Sequence, residues 1–305
     1  MSLVRSVLAF RYMALRLRID HRTRYNYAQP VSLSPHLVRL FPRTEPGRLV
    51  QRLSLETNAG ADVMYRRDLF DNPFARCYYP EKIAELFFHF SAEVELHPQN
   101  PFHFLLDFDA SQYPFAYAPA TAARLAACLQ PPADESEQTT PGGLLPLPFW
   151  NRPAEPVPTV TLLTGLIDAI QDNVRYERRD EGAAHPPQET LRLGHGSCRD
   201  FAVLLAAILR ELGLAARLAS GYLCEFGQDA HNRKAEGYMH MWTEVFLPGA
   251  GWTGLDATNG VFCNHNFITT AVGLTSAEVT PISGRYFSDV RVPSTMDATV
   301  ELTAL

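Results

Sequence analysis

Two segments near the start of the chain, 15–27 and 86–96, alternate apolar and polar residues with a period of two. One face of the first segment carries Leu15, Leu17, Ile19, His21, Thr23, Tyr25 and Tyr27. Such alternation predicts strands with one buried face. Shorter strand-like runs, separated by turns that contain Pro and Gly, lie at 37–41, 50–57 and 62–69. Together these runs predict an antiparallel β domain over about 14–97.

The period changes to that of a helix in the second half of the chain. Over 160–172 the apolar residues fall at helical spacing, which predicts an amphipathic helix. Residues 198–212 are apolar nearly all round, which predicts a buried central helix that ends at Gly213. Strands are then predicted at about 216–223, 240–247 and 252–256, with more alternation in the tail at 265–305.

A proline-rich stretch over 130–158, preceded by a short predicted helix at about 119–129, separates these two patterns. We therefore predict three parts. The first is an N-terminal antiparallel β domain over 1–110, and the second is a helical and proline-rich connection over 111–158. The third is a core over 159–305 with C-terminal strands, and the predicted fold class is α+β.

Composition and charge narrow the function classes. The chain has 305 residues, of which 46% are hydrophobic, and a net charge of −6, so nothing indicates nucleic acid or an anionic membrane as a partner. No run of about 18 uncharged apolar residues predicts a membrane span. The first residues are interrupted by arginines and lack a signal-peptide cleavage site, and Met13 is an alternative start.

The cysteines are too few and too far apart for a disulfide framework. They are Cys77, Cys128, Cys198, Cys224 and Cys263. Their number is odd and no CxxC pair occurs, while the single CxH at 263–265 is too little for a metal site. We therefore predict free thiols in a reducing, cytoplasmic compartment, with no metal and no cofactor.

Cys198 stands where a helix favours a thiolate. Ser197 is placed to cap the central helix, and Asp200 occupies the third position of a capping box, so Cys198 is the first helical residue. The unpaired N–H groups and the dipole at a helix start favour a thiolate, the nucleophilic form of cysteine. Gly194 and Gly196 let the backbone approach closely before it. The alternative is a small buried structural thiol.

His240 and Asp256 lie on two strands that are predicted to form a hairpin. If its centre lies near Pro248, the two residues face each other on one side of the sheet. The carboxylate would hold one imidazole nitrogen while the other faces a thiol, so Cys198, His240 and Asp256 suggest an acyl-transfer site. The alternative is a surface histidine beside a turn aspartate.

Four further polar groups have open roles. Asp200 either caps the helix or joins the chemistry, and Glu244 either assists His240 from the same face or is solvated. An oxyanion would be bound by the backbone N–H of Cys198 or, as a weaker candidate, by Tyr176.

Four short motifs resemble the bacterial transglutaminase-like superfamily of predicted cysteine proteases. Its pattern is G-x-G-x-C-x-D-[FY], H-x-W-x-E-V, G-W and D-x-T, matched here at 194–201, 240–245, 251–252 and 256–258. The resemblance extends over about 160–260, and 21–73 resembles the β domain that precedes the core in bacterial members. Ala257 departs from the usual proline after the aspartate.

The resemblance implies a papain-like core in which a central helix packs against an antiparallel sheet. It assigns Cys198 as nucleophile, His240 as base and acid, and Asp256 as the residue that orients His240. The expected function is hydrolysis or acyl transfer on a peptide or amide substrate through a thioester. A binding or scaffold protein that kept the fold without turnover is the alternative, and a metal-dependent hydrolase is a third.

Overall fold

The computed structural model describes residues 14–131, 147–179, 182–224 and 234–305, and it describes the backbone alone for 234–237. The alternative start at Met13 and much of the proline-rich stretch lie outside the described residues. Within them, no helix is both long enough and apolar enough to cross a membrane.

Strands are the commonest regular element in the described chain. Those of the N-terminal half are β1 (Leu15–Leu33), β2 (His36–Val38), β3 (Arg48–Thr57), β4 (Asp62–Arg67), β5 (Pro73–Tyr78) and β6 (Ile83–Leu96). The later strands are β7 (Gln112–Tyr113), β8 (Val157–Pro158), β9 (Arg175–Tyr176), β10 (His195–Gly196), β11 (Ala216–Cys224), β12 (Lys234–Leu247), β13 (Gly251–Asp256), β14 (Val261–Phe262), β15 (Phe267–Gly273), β16 (Ile282–Ser283), β17 (Tyr286–Phe287) and β18 (Ser294–Ala304).

Helices are fewer and lie mainly in the second half. They are α1 (Pro119–Arg124), α2 (Ala126–Leu129), α3 (Thr159–Asn173), α4 (Pro187–Leu193) and α5 (Cys198–Glu211), with a short 3₁₀ helix at Phe108–Ala110. The α+β class is confirmed. The helix predicted at 119–129 is interrupted at Leu125, which leaves the helical conformation.

The two alternating segments form the long central strands of the N-terminal sheet. β1 pairs antiparallel with β6 from Leu15↔Leu96 to Asn26↔Glu85. The apolar face of each strand is buried, as the period of two predicted. β1 runs on to Leu33 after a register shift, and β5 begins at Pro73, inside a segment predicted only as a turn.

The central helix α5 packs against β11 and β12. Its apolar residues are buried, and Gly213 ends it in the left-handed conformation (φ +77°). The hydroxyl of Thr243 on β12 donates to the Ala202 carbonyl of α5 at 2.8 Å. This contact fixes the helix start close to the strand that carries His240.

The N-terminal sheet and the core share one apolar interior. Tyr222 and Ile268, from β11 and β15, pack in the same buried cluster as Leu17 and Phe90, from β1 and β6. Tyr222 also forms a hydrogen bond with His21 (O–Nδ1, 3.2 Å). The β half is therefore packed directly onto the strands that carry the core.

The last strand joins the two halves. β18 pairs with β1 from Leu17↔Ala304 to Tyr27↔Ser294, and it also pairs with the start of β12. β18 falls within the core predicted over 159–305, whereas its longest pairing is to β1 of the N-terminal sheet. The reason is apolar matching, because Leu302 lies opposite Ile19 and both are fully buried. The domain boundaries at 110 and 158 stay predictions.

Candidate active site

Cys198 is the first residue of α5 and is partly exposed. The Asp200 carboxylate accepts hydrogen bonds from the Ser197 backbone N–H (2.7 Å) and hydroxyl (2.9 Å), so the predicted cap is confirmed. The backbone N–H of Cys198 has no intrahelical acceptor because it lies in the first turn. A thiol and an unpaired donor therefore stand together at the helix start.

His240 is buried and lies between the other two predicted residues. Its Nε2 is 2.8 Å from Oδ2 of Asp256, and the side chain of Cys198 is close enough to the ring to help raise its pKa. Since Asp256 engages Nε2, Nδ1 is the nitrogen left for Cys198. The structure thus brings Cys198, His240 and Asp256 together, although they come from three different elements.

The hairpin register that placed Asp256 opposite His240 was wrong by two residues. The observed pairs run from Thr243↔Leu255 to Leu247↔Gly251, so the centre is Gly249 rather than Pro248. Gly249 and Gly251 both have positive φ (88° and 79°), which lets a three-residue turn close the hairpin. A shift of two residues keeps every side chain on its face, so Asp256 still reaches His240, along a diagonal.

Asp256 is held by the turn that follows it. Its Oδ1 accepts from the Thr258 backbone N–H (3.0 Å), and its Oδ2 accepts from the Asn259 side chain (2.6 Å). Sequence reasoning missed Asn259. An aspartate followed three residues later by asparagine and then glycine is a turn signal that could have indicated it.

The charges around His240 favour its protonated form. Burial lowers the pKa of His240, but hydrogen bonds and charge interactions with Asp256 and Cys198 outweigh burial and raise it to about 10. At neutral pH, the ring is therefore an imidazolium next to a carboxylate and a sulfur atom. Such a partner stabilises a thiolate.

The other thiols lie in less reactive surroundings. Burial raises the pKa of Cys77 to about 11 and raises the pKa of Cys128 and of Cys263 as well. Cys224 is buried too. Cys198 is the thiol that combines exposure with a cationic neighbour.

Asp200 does more than cap α5. Its side chain is fully buried, and Oδ1 accepts from Nη2 of Arg179 (2.7 Å) and from the His185 backbone N–H (2.6 Å). Sequence reasoning missed Arg179 and His185. Arg179 stands in a run of charged residues, a pattern that ordinarily indicates a solvated loop.

Glu244 and Tyr176 each contact residues other than His240. Glu244 instead pairs with Arg217 at 2.7 Å, and that guanidinium lies 4.1 Å from the centre of the Trp252 ring. Tyr176, on β9, pairs with Gly196 on β10 and is about half exposed.

A small polar cavity of about 170 Å³ lies between the N-terminal half and the core. Its lining includes Glu45, Arg48, Trp242, Glu244, Cys263 and His265. In the part of the chain that the structure describes, no three His, Cys, Asp or Glu side chains are grouped to hold a metal ion.

Two family profiles match the chain. The transglutaminase-like superfamily matches residues 156–257, and the bacterial transglutaminase-like N-terminal region matches residues 17–95. The first match contains Cys198, His240 and Asp256, and the second contains β1 to β6 almost entirely.

Similar proteins come from several bacteria. An uncharacterized protein of Mycobacterium leprae is 25% identical over 95% of this chain and 99% of its own length. One of Mycobacterium tuberculosis is 27% identical over 94% of this chain and 92% of its own length. The crystal structure of a predicted cysteine protease from Cytophaga hutchinsonii has the same fold, with a TM-score of 0.72 and 18% identity over 96% of this chain and 91% of that one. The chain belongs to the transglutaminase-like superfamily, with the bacterial N-terminal region before the core.

Proposed function

We propose that this protein hydrolyses or transfers the acyl group of a peptide or amide through a thioester on Cys198. One observation carries the proposal: the buried His240 ring hydrogen-bonds Asp256 through Nε2 and also interacts with the side chain of Cys198. A thiol needs a partner that takes its proton and returns it to a leaving amine, and His240 is placed for both.

Cys198 and His240 each act in both halves of the reaction. The Sγ atom of Cys198 attacks the carbonyl carbon, and the backbone N–H of Cys198 stabilises the oxyanion. The C–N bond then breaks while His240 gives its proton to the leaving amine, which leaves a thioester. In the second half, His240 accepts a proton from water or from an acceptor amine as it attacks, and the thiol is restored with the acid or a new amide.

Alkylation mapping tests the nucleophile. We expect iodoacetamide at pH 6–7 to label Cys198 before the other four cysteines, because Cys198 is partly exposed beside the His240 ring, whereas burial raises the pKa of Cys77, Cys128 and Cys263. The measurement is the site-resolved labelling rate by peptide mass spectrometry. Cys198→Ser should remove the fast phase, whereas Cys77→Ser, a matched thiol change in β5 of the N-terminal half, should keep it.

Trapping of an acyl-enzyme tests turnover. Incubation with p-nitrophenyl acetate should add one acetyl group to Cys198 and release p-nitrophenolate. Intact mass of the quenched protein reads the result. A Cys198 that labels no faster than a free thiol and forms no acyl-enzyme would support the scaffold alternative instead.

A further inference from the structure

The contacts of Asp200 on its Oδ1 side exceed what a helix cap requires. A capping box needs the Ser197 contact at Oδ2, while Arg179 and the His185 backbone bind Oδ1. We propose that Asp200 and Arg179 are positioning residues that hold the backbone N–H of Cys198 as the oxyanion donor. This inference rests on the function proposed above.

Arg199, in the same helical turn as Asp200, also attaches the start of α5 to the segment before it. The guanidinium of Arg199 donates to the carbonyls of Gly182 (2.8 Å) and Arg179 (2.7 Å). Arg179 in turn donates from Nη1 to Nε2 of His185. We call Arg179, His185, Arg199 and Asp200 the Asp200 clasp.

The Asp200 clasp encloses Cys198 from both sides along the chain. Ser197, which precedes Cys198, and Arg199 and Asp200, which follow it, are each fixed by side-chain hydrogen bonds. Gly196 completes the packing, since a Cβ atom there would lie 2.8 Å from Cβ of Asp200. The direction of the Cys198 N–H is thus set by neighbours that the Asp200 clasp holds in place.

Charge makes this arrangement sensitive to substitution. Asp200 is fully buried and its cationic partner is Arg179, so removing either one leaves an uncompensated group at the helix start. A displacement of about 1 Å at a reacting group can cost about 100-fold in rate. The clasp therefore affects the reaction without touching substrate.

Two reagents that react at the same sulfur separate positioning from general damage. Acylation by p-nitrophenyl acetate passes through an oxyanion before p-nitrophenolate leaves, whereas iodoacetamide loses iodide in a direct displacement that forms none. We expect Asp200→Asn and Arg179→Met each to slow acylation by about 10- to 100-fold. Alkylation should change by less than about threefold, and Arg179→Lys should recover part of the acylation rate.

A double variant of Asp200 and Arg179 and a matched control variant complete the test. The double variant should acylate no more slowly than the worse single variant, because both changes release the same clasp. Arg210→Met changes another buried arginine, at the far end of α5, where its guanidinium donates to the Ala216 carbonyl at 3.1 Å, and should leave both reactions unchanged. Thermal unfolding verifies that each variant is folded at the assay temperature. If Asp200→Asn does not fold, the partly exposed Arg179 provides the same test.

The following outcomes would contradict the inference. Equal loss in both reactions, or no loss in either, overturns the positioning role. A wild-type protein that is alkylated at Cys198 but never acylated overturns the proposed function, and the oxyanion role with it.

Discussion

At the scale of single residues, the site depends on which partner each nitrogen of the His240 ring contacts. Asp256 takes Nε2 and is itself held by Thr258 and Asn259, so the ring has little freedom. The pKa of His240, raised to about 10, means that folding favours the protonated ring. That contribution to stability is complete below pH 6.5 and is lost as the pH rises through about 10.

Asp256→Asn tests this division of roles. A neutral amide stabilises the imidazolium less, so less cationic His240 faces the sulfur atom at neutral pH. We expect alkylation of Cys198 to slow by about tenfold at pH 6–7. Second-order rates with iodoacetamide between pH 5 and 9 measure it. Glu244→Gln, a change to another buried acid on the same face, should leave the profile in place.

At the scale of elements, local periodicity predicted the strands and the central helix well. β1, β6, α3 and α5 each bury the face that their spacing indicated. The register of the β12–β13 hairpin was wrong, because two glycines with positive φ set the turn and periodicity does not encode it. The Asp200 clasp was also not predicted, because Arg179, the partner of Asp200, lies in a run of charged residues and contacts residues that are distant in the sequence.

His21 gives β1 a pH-dependent contribution. Burial lowers the pKa of His21 to about 4, partly offset by Asp20, so the folded state disfavours the protonated ring. Stability is complete above pH 6.5 and falls as the pH drops toward 4. The loss from this group at pH 5 is about 2 kcal/mol.

Denaturant unfolding at pH 7.5 and pH 5 measures this loss. We expect His21→Gln to show a smaller drop in the free energy of unfolding between the two pH values than the wild type. His103→Gln, at an exposed position, should keep the wild-type drop. Equal drops in all three proteins would contradict the assignment.

At the scale of the whole molecule, β18 connects the N-terminal sheet to the strand that carries His240. It lies along β1 for eleven residue pairs and meets β12 at Lys234, Ala235 and Glu236. The sequence predicted its alternation but not its partner, because pairing between distant parts of a chain leaves no local signal. The shared core around Tyr222 was unpredicted for the same reason.

Leu302→Ala tests this connection. Leu302 is fully buried between the two halves, so we expect a loss of about 2–5 kcal/mol in the free energy of unfolding. Thr299→Ala, an exposed position three residues earlier, is the matched control and should change little. Chemical denaturation followed by tryptophan fluorescence, which reports on the core, and by alkylation of Cys77, which is buried in β5 of the N-terminal half, should give one transition. Two separate transitions would show that the halves unfold independently.

The position of β18 also bears on how the protein is made. β1 leaves the ribosome early, but the strand that covers one of its edges follows about 270 residues later. At about 5–20 residues per second, that edge stays open for roughly 15–50 s. An open strand edge invites pairing with other chains. Charged side chains along β1, which include Arg16, Arg18, Arg22 and Arg24, disfavour such pairing during that interval.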